Sequence, residues 1–210
     1  MGSGGELVIG VDFDNTLVVY DELFWNMAVE RGLIPPALPR GKREIRDAIR
    51  RLPDGEIHWQ RLQAAAYGPR IAEARPAAGA VDFVRRCRSA AVRLVVVSHK
   101  TELAGYDETN TNLRAAALGW MRAEGFFARG GLALDDVYFG ATRAEKIAHL
   151  TRLGCTHFID DLEETFNEES FPANVMKILY APRAPEQVPP GVRVATSWNQ
   201  ISDWLFNVSS

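Results

Sequence analysis

The chain of 210 residues sets 24 Lys and Arg against 27 Asp and Glu, and its aromatics are not interleaved with a basic stripe. It therefore lacks the electrostatic footprint of a nucleic-acid binder. A hydrophobic share of 47% with 24% charged residues suits one folded α/β enzyme, and no apolar run approaches the roughly 20 residues that a bilayer demands. Cys87 and Cys155 are too few for a disulfide framework, and the first residues do not form a basic segment followed by an apolar one, so the cytoplasm is the expected location.

Residues 1–5 read as a flexible leader, and residues 7–11 as an apolar strand, Leu-Val-Ile-Gly-Val, that runs straight into Asp12, Asp14 and Thr16. Buried strands rarely end in two carboxylates spaced i, i+2 unless a cation or phosphate chemistry awaits them, because charge at a core edge is costly when uncompensated. From residue 18 to residue 75 no strand-like run occurs. Instead, apolar residues at helical spacing predict helices over 21–31, 42–52 and 56–67, broken by Gly32 with the prolines at 35, 36 and 39, and by Pro53-Asp54-Gly55. This insert holds ten basic and eight acidic residues, a net of +2, which leaves −5 on the rest of the chain and suits an anion held between the two.

Strand and helix signals then alternate. Pro76 to Gly79 leads into a helix through Val81, Phe83, Val84 and Cys87; residues 93–97 form a strand ending at Ser98, followed by His99 and Lys100. A helix over 110–124 connects to a strand at 137–139, after which Gly140 to Arg143 opens a helix carrying Lys146. A strand at 156–159 ends in Asp160-Asp161, and a fifth strand at 175–180, a proline-rich loop at 181–191 and a closing helix at 198–206 complete the chain. Alternation of this kind predicts an α/β fold: a Rossmann-like parallel sheet in a three-layer α/β/α arrangement. Its chemistry-bearing residues all fall just past strand C-termini, where open α/β sheets bind ligands. A second acidic pair, Asp135-Asp136, stands before its strand, on the wrong side of the sheet, and is assigned to a turn.

Four pieces in this order, Asp12-x-Asp14-x-Thr16, Ser98, Lys146 and Asp160-Asp161, resemble the four motifs of the haloacid dehalogenase (HAD) superfamily of hydrolases, over residues 7 to about 161. The resemblance implies a core of residues 1–17 and 76–210 with a small helical cap, residues 18–75, inserted after the first motif. It implies Asp12 as nucleophile toward phosphorus, forming an aspartyl-phosphate, with Lys146 neutralising the phosphate and the intermediate. A carboxylate repels a phosphate dianion, so Mg²⁺ is expected between them, held by Asp12, the backbone carbonyl of Asp14, Asp160 and, through water, Asp161. Asp14 is the expected acid and base, protonating the departing alkoxide and then deprotonating water. Asn15 and Thr16 on one side and Ser98 and His99 on the other are expected to grip the phosphate, with Lys146.

The expected activity is Mg²⁺-dependent hydrolysis of a small soluble phosphomonoester, a sugar phosphate or nucleotide, by a monomer or homodimer without nucleic-acid or membrane partners. Two alternatives share the motifs: a phosphomutase or phosphotransferase of the same fold, and a phospho-acceptor or scaffold module without turnover. The lid argues against the module, since a signalling aspartate needs no cover. Trp25, His58, Trp59 and Tyr67 in the insert are candidates for its packing or its substrate face, while His149 and His157 read as structural.

Overall fold

In the computed structural model the described residues are 6–107, 109–183, 185, 188 and 190–207; the leader at residues 1–5 and part of the proline-rich loop lie outside them. The strands are β1 (Val8–Val11), β2 (Val18–Val19), β3 (Arg75–Pro76), β4 (Arg93–His99), β5 (Val137–Gly140), β6 (His157–Asp160), β7 (Met176–Tyr180) and β8 (Val192–Ala195). The helices are α1 (Asp21–Glu30), α2 (Lys42–Ile49), α3 (Gly55–Tyr67), α4 (Ala80–Ser89), α5 (Leu113–Ala123), α6 (Arg143–Arg152), α7 (Glu163–Phe166) and α8 (Trp198–Phe206). Among the described residues no helix is long and apolar enough to cross a membrane. The chain divides into two compact units: Met1–Leu17 with Pro76–Lys100 and Glu124–Ser210, and Val18–Arg75 with Thr101–Ala123.

The first unit is a six-stranded sheet in the order β5-β4-β1-β6-β7-β8, with all five pairings parallel, flanked by helices as the alternation predicts. β1 is the pivot. Val11 lies opposite Val96 of β4 and Ile159 of β6, so Asp12, Ser98 and Asp160 leave three adjacent strands at one end of the sheet. All four β1 residues are buried, as expected for a strand covered on both faces, which explains an unbroken apolar run where an exposed face would give alternation. Val95, Val97, Leu150, Cys155, Phe158, Phe166 and Phe171 build one apolar cluster of this core. Phe83 and Tyr180 close on Trp198 of α8, with ring centroids 4.9 and 5.5 Å away.

Gly140 ends β5 at a point where a Cβ would come within 2.7 Å of the Lys146 backbone nitrogen, so only glycine lets the first turn of α6 approach the strand. That turn is further secured by Thr142, whose hydroxyl caps the Glu145 N–H at 3.1 Å, and by Glu145 Oε2, which accepts the Ala141 N–H at 2.7 Å. These contacts fix the helix that carries Lys146.

β8 has no counterpart in the predicted elements. Four residues with an arginine among them, directly after a proline-rich loop, carry too little apolar signal to be read as a strand. Its existence follows from pairing in register with β7, Leu179 opposite Val194.

The second unit contains the inserted helices. Leu23, Phe24, Met27 and Ala28 of α1 and Ile45 and Ile49 of α2 form buried faces at the spacings read from sequence, and Trp59 and Leu62 are buried on α3. The Phe24 and Trp59 rings stack with centroids 4.9 Å apart, and Tyr67 meets Tyr20 edge-on at 4.9 Å. This unit also takes in residues 101–123, which the sequence reading assigns to the core as a connection between strands. The reason is the buried stripe of α5, Leu113, Ala117, Trp120 and Met121, together with a hydrogen bond from Trp120 Nε1 to the Ala74 carbonyl at 3.0 Å. Helical periodicity shows that α5 has an apolar face but not which partner covers it.

Candidate active site

At the C-terminal edge of the sheet the predicted residues meet. Asp12 extends β1, its N–H bonded to the Ile159 carbonyl at 2.8 Å, and Asp160 closes β6. Lys146, 3% exposed, reaches across from α6 and donates to Asp12 Oδ1 and Asp160 Oδ2, both at 2.7 Å. Asp160 Oδ1 accepts the Leu162 N–H at 3.0 Å. Asp12, Asp160 and Asp161 each present a carboxylate oxygen, and the three oxygens lie within 4.8 Å of one another.

Burial sets the electrostatics. The Asp12 pKa rises from 3.8 to about 7, first because burial takes the carboxyl out of water, with Lys146 opposing the rise and Asp160 and Asp14 adding to it. Burial by itself would lower the Lys146 ammonium, but the two carboxylates outweigh it and hold Lys146 above the usual lysine range. A lone buried pair would be neutral overall; here one ammonium serves two buried acids, and the pKa of Asp12 rises.

Asp14 stands apart from this group. Its carboxylate is held by Lys100, with Nζ 2.8 Å from Oδ2 and 3.1 Å from Oδ1. Lys100 is 4% exposed, lies 5.2 Å over the Phe13 ring, and is fixed by its N–H to the Gly140 carbonyl at 2.8 Å. The sequence reading gave the Lys100 side chain no role. The available signal was the spacing Ser98-x-Lys100, which puts both side chains on one side of an extended chain.

The hydroxyls of Thr16 and Ser98 are buried and have no hydrogen-bond partner among the described residues. Buried hydroxyls are ordinarily bonded, so an orphan of this kind implies a ligand or water. Thr16 is secured from behind, its carbonyl accepting Trp198 Nε1 at 3.2 Å. Asn15 turns the chain with φ 55°, in the left-handed region that asparagine tolerates. His99 is exposed and donates Nε2–H to the Ala141 carbonyl at 3.0 Å, tying the end of β4 to the loop before α6. α7 is entered at Leu162, whose N–H is taken by Asp160. Asp135-Asp136 forms a turn, with Asp136 Oδ2 on the Ala133 N–H at 2.8 Å.

The donor set suits a hard divalent cation. Only carboxylate oxygens converge, and Asp12, Asp14, Asp160 and Asp161 against Lys100 and Lys146 leave two formal negative charges.

The fold is that of HAD-superfamily hydrolases. A HAD-family hydrolase of Deinococcus radiodurans R1, solved with bound phosphate and sodium, superposes with TM-score 0.57 at 16% identity, covering 95% of each chain. A HAD-superfamily hydrolase of subfamily IA, variant 1, from Geobacter sulfurreducens PCA gives 0.57 at 15% identity over 98% of this chain and 100% of that one. A predicted phosphoglycolate phosphatase of Haemophilus somnus 129PT gives 0.57 at 14% identity over 97% and 100%. No family model matches the sequence, and no curated protein does. The likeness therefore lies in the fold.

Proposed function

We propose that the protein is a divalent-cation-dependent phosphomonoester hydrolase working through an aspartyl-phosphate on Asp12. The observation that carries this is the buried Asp12–Lys146–Asp160 arrangement at the sheet edge, accompanied by two buried hydroxyls, of Thr16 and Ser98, that lack a hydrogen-bond partner among the described residues. The bound phosphate of the Deinococcus structure and the phosphatase description of the Haemophilus one lie in the same direction.

Asp12 attacks phosphorus with one carboxylate oxygen while the bond to the leaving oxygen breaks. Lys146, already on Asp12, stays beside the carboxylate as negative charge moves to the phosphoryl oxygens. Ser98 and Thr16 donate their hydroxyls to those oxygens, with the backbone N–H groups of Asn15 and His99. Asp14 gives a proton to the leaving alkoxide, then takes one from the water that cleaves the aspartyl-phosphate, returning Asp12 and releasing inorganic phosphate. Mg²⁺, held by Asp12, Asp160, the Asp14 carbonyl and Asp161 through water, would neutralise the charge between nucleophile and phosphate. The inserted helices of residues 18–75 would select the leaving group, a small soluble metabolite.

The test is phosphate release from about a hundred phosphorylated metabolites with Mg²⁺, using wild type and Asp12→Asn. Multiple turnover by wild type, lost in the variant, is the expected result. No release from any ester, or a variant retaining more than a few percent of the rate, overturns the reading.

A further inference from the structure

Resting on that reading, we propose that Lys100 is a positioning residue of the reaction: it keeps the Asp14 carboxyl out of the cation site and aimed at the leaving group.

Asp14 is two residues from Asp12, just past the end of the same strand, β1, so it is the natural extra ligand for any cation bound there. Yet it is not among the acids whose oxygens converge; those are Asp12, Asp160 and Asp161. What accounts for the separation is Lys100, which spans both Asp14 oxygens at 2.8 and 3.1 Å. The ammonium is well placed to compete. Its side chain is 2% exposed against 21% for Asp14, its backbone is pinned to β5 through Gly140, and its head lies on the Phe13 ring. A buried, pre-ordered ammonium loses little side-chain freedom in making this pair, unlike a lysine on the surface.

The arrangement serves both protonation states that the acid-base role requires. As carboxylate, Asp14 accepts from Nζ and stands ready to take a proton from water. As carboxylic acid, its carbonyl oxygen still accepts from Nζ while the O–H oxygen faces the leaving group. Without Lys100, Asp14 would turn into the cation site and the leaving oxygen would depart without a donor.

Loss of a proton donor is felt by poor leaving groups and hardly by good ones, which gives a readout that a merely structural lysine would not move. In Lys100→Met, kcat for an alkyl phosphate should fall ~100-fold or more while that for p-nitrophenyl phosphate falls less than ~5-fold, with Lys100→Arg within ~10-fold of wild type on both. A second readout needs no turnover. By calorimetry, Mg²⁺ should bind Lys100→Met about tenfold more tightly than wild type, because a repelling charge is gone and a carboxylate is released, and the gain should vanish in Asp14→Asn/Lys100→Met. Circular dichroism establishes that each variant is folded; if Lys100→Met is not, Lys100→Gln carries the same expectations.

An equal fall on both esters, or no fall, overturns the proposal, as does unchanged Mg²⁺ affinity in the folded variant. If wild type hydrolyses neither ester, the phosphatase reading fails by itself, and the Mg²⁺ measurement still decides whether Lys100 holds Asp14 away from the cation.

Discussion

Asp12→Asn should leave the metal-free protein more stable at neutral pH, and the gain should depend on pH in a defined direction. Between its ordinary value of 3.8 and about 7, Asp12 in the folded protein holds a proton that the unfolded chain has released. Stability therefore falls as pH rises through that window, and the cost is complete above it. About three pKa units at ~1.4 kcal/mol each set a ceiling of about 4 kcal/mol at neutral pH. An asparagine carries no charge to desolvate, and its Oδ1 can still accept from Lys146. Some of the ceiling is returned because Lys146 loses the attraction of a full carboxylate, so a net gain of about 1–2 kcal/mol is expected, or roughly 2–8 °C in Tm for a chain of this size. The assay is thermal unfolding in EDTA from about pH 5 to pH 8, wild type against variant. The Tm difference should widen by the equivalent of roughly 2 kcal/mol from the lower pH to the higher. A difference constant with pH, or a variant less stable than wild type at pH 8, would refute the view that burial rather than its ion pair governs Asp12.

Activity should disappear in EDTA and return with Mg²⁺, whereas Ca²⁺ should bind and inhibit, because its looser coordination spoils in-line attack; full turnover after exhaustive chelation excludes the cation role. Lys146→Met strands two buried carboxylates and should lower stability by about 3–5 kcal/mol at pH 8, less at pH 5 where Asp12 can be protonated; denaturant unfolding at both values checks it. Ser98→Ala removes a hydroxyl without a partner among the described residues, so stability should change by less than about 0.5 kcal/mol while KM for phosphate esters rises; a large loss of stability would show that the hydroxyl is engaged within the protein.

Much of the site is legible because its signals are local. The apolar run into Asp12 and Asp14, the β-branched strand into Ser98, and the strand into Asp160 each announce themselves over a few residues, and parallel strands with helical crossovers place their C-terminal ends together. The inserted helices are legible for the same reason, down to the buried face of α1. β8 and the allegiance of α5 are not, since an edge strand of four residues and an apolar helix stripe become definite only against the surface they meet.

The sequence by itself determined which chemical groups stand at strand ends and in what order, because hydrophobic periodicity and turn residues act over one or two turns of chain. Which ammonium holds which carboxylate was decided by tertiary structure alone. Lys146 meets Asp12 across 134 residues of chain and Lys100 meets Asp14 across 86, and neither local sequence says which acid its lysine will hold. Only when the sheet closes do desolvation and the shape of the edge divide two lysines among the acids, leaving Asp12 with its raised pKa and Asp14 turned away from the other carboxylates.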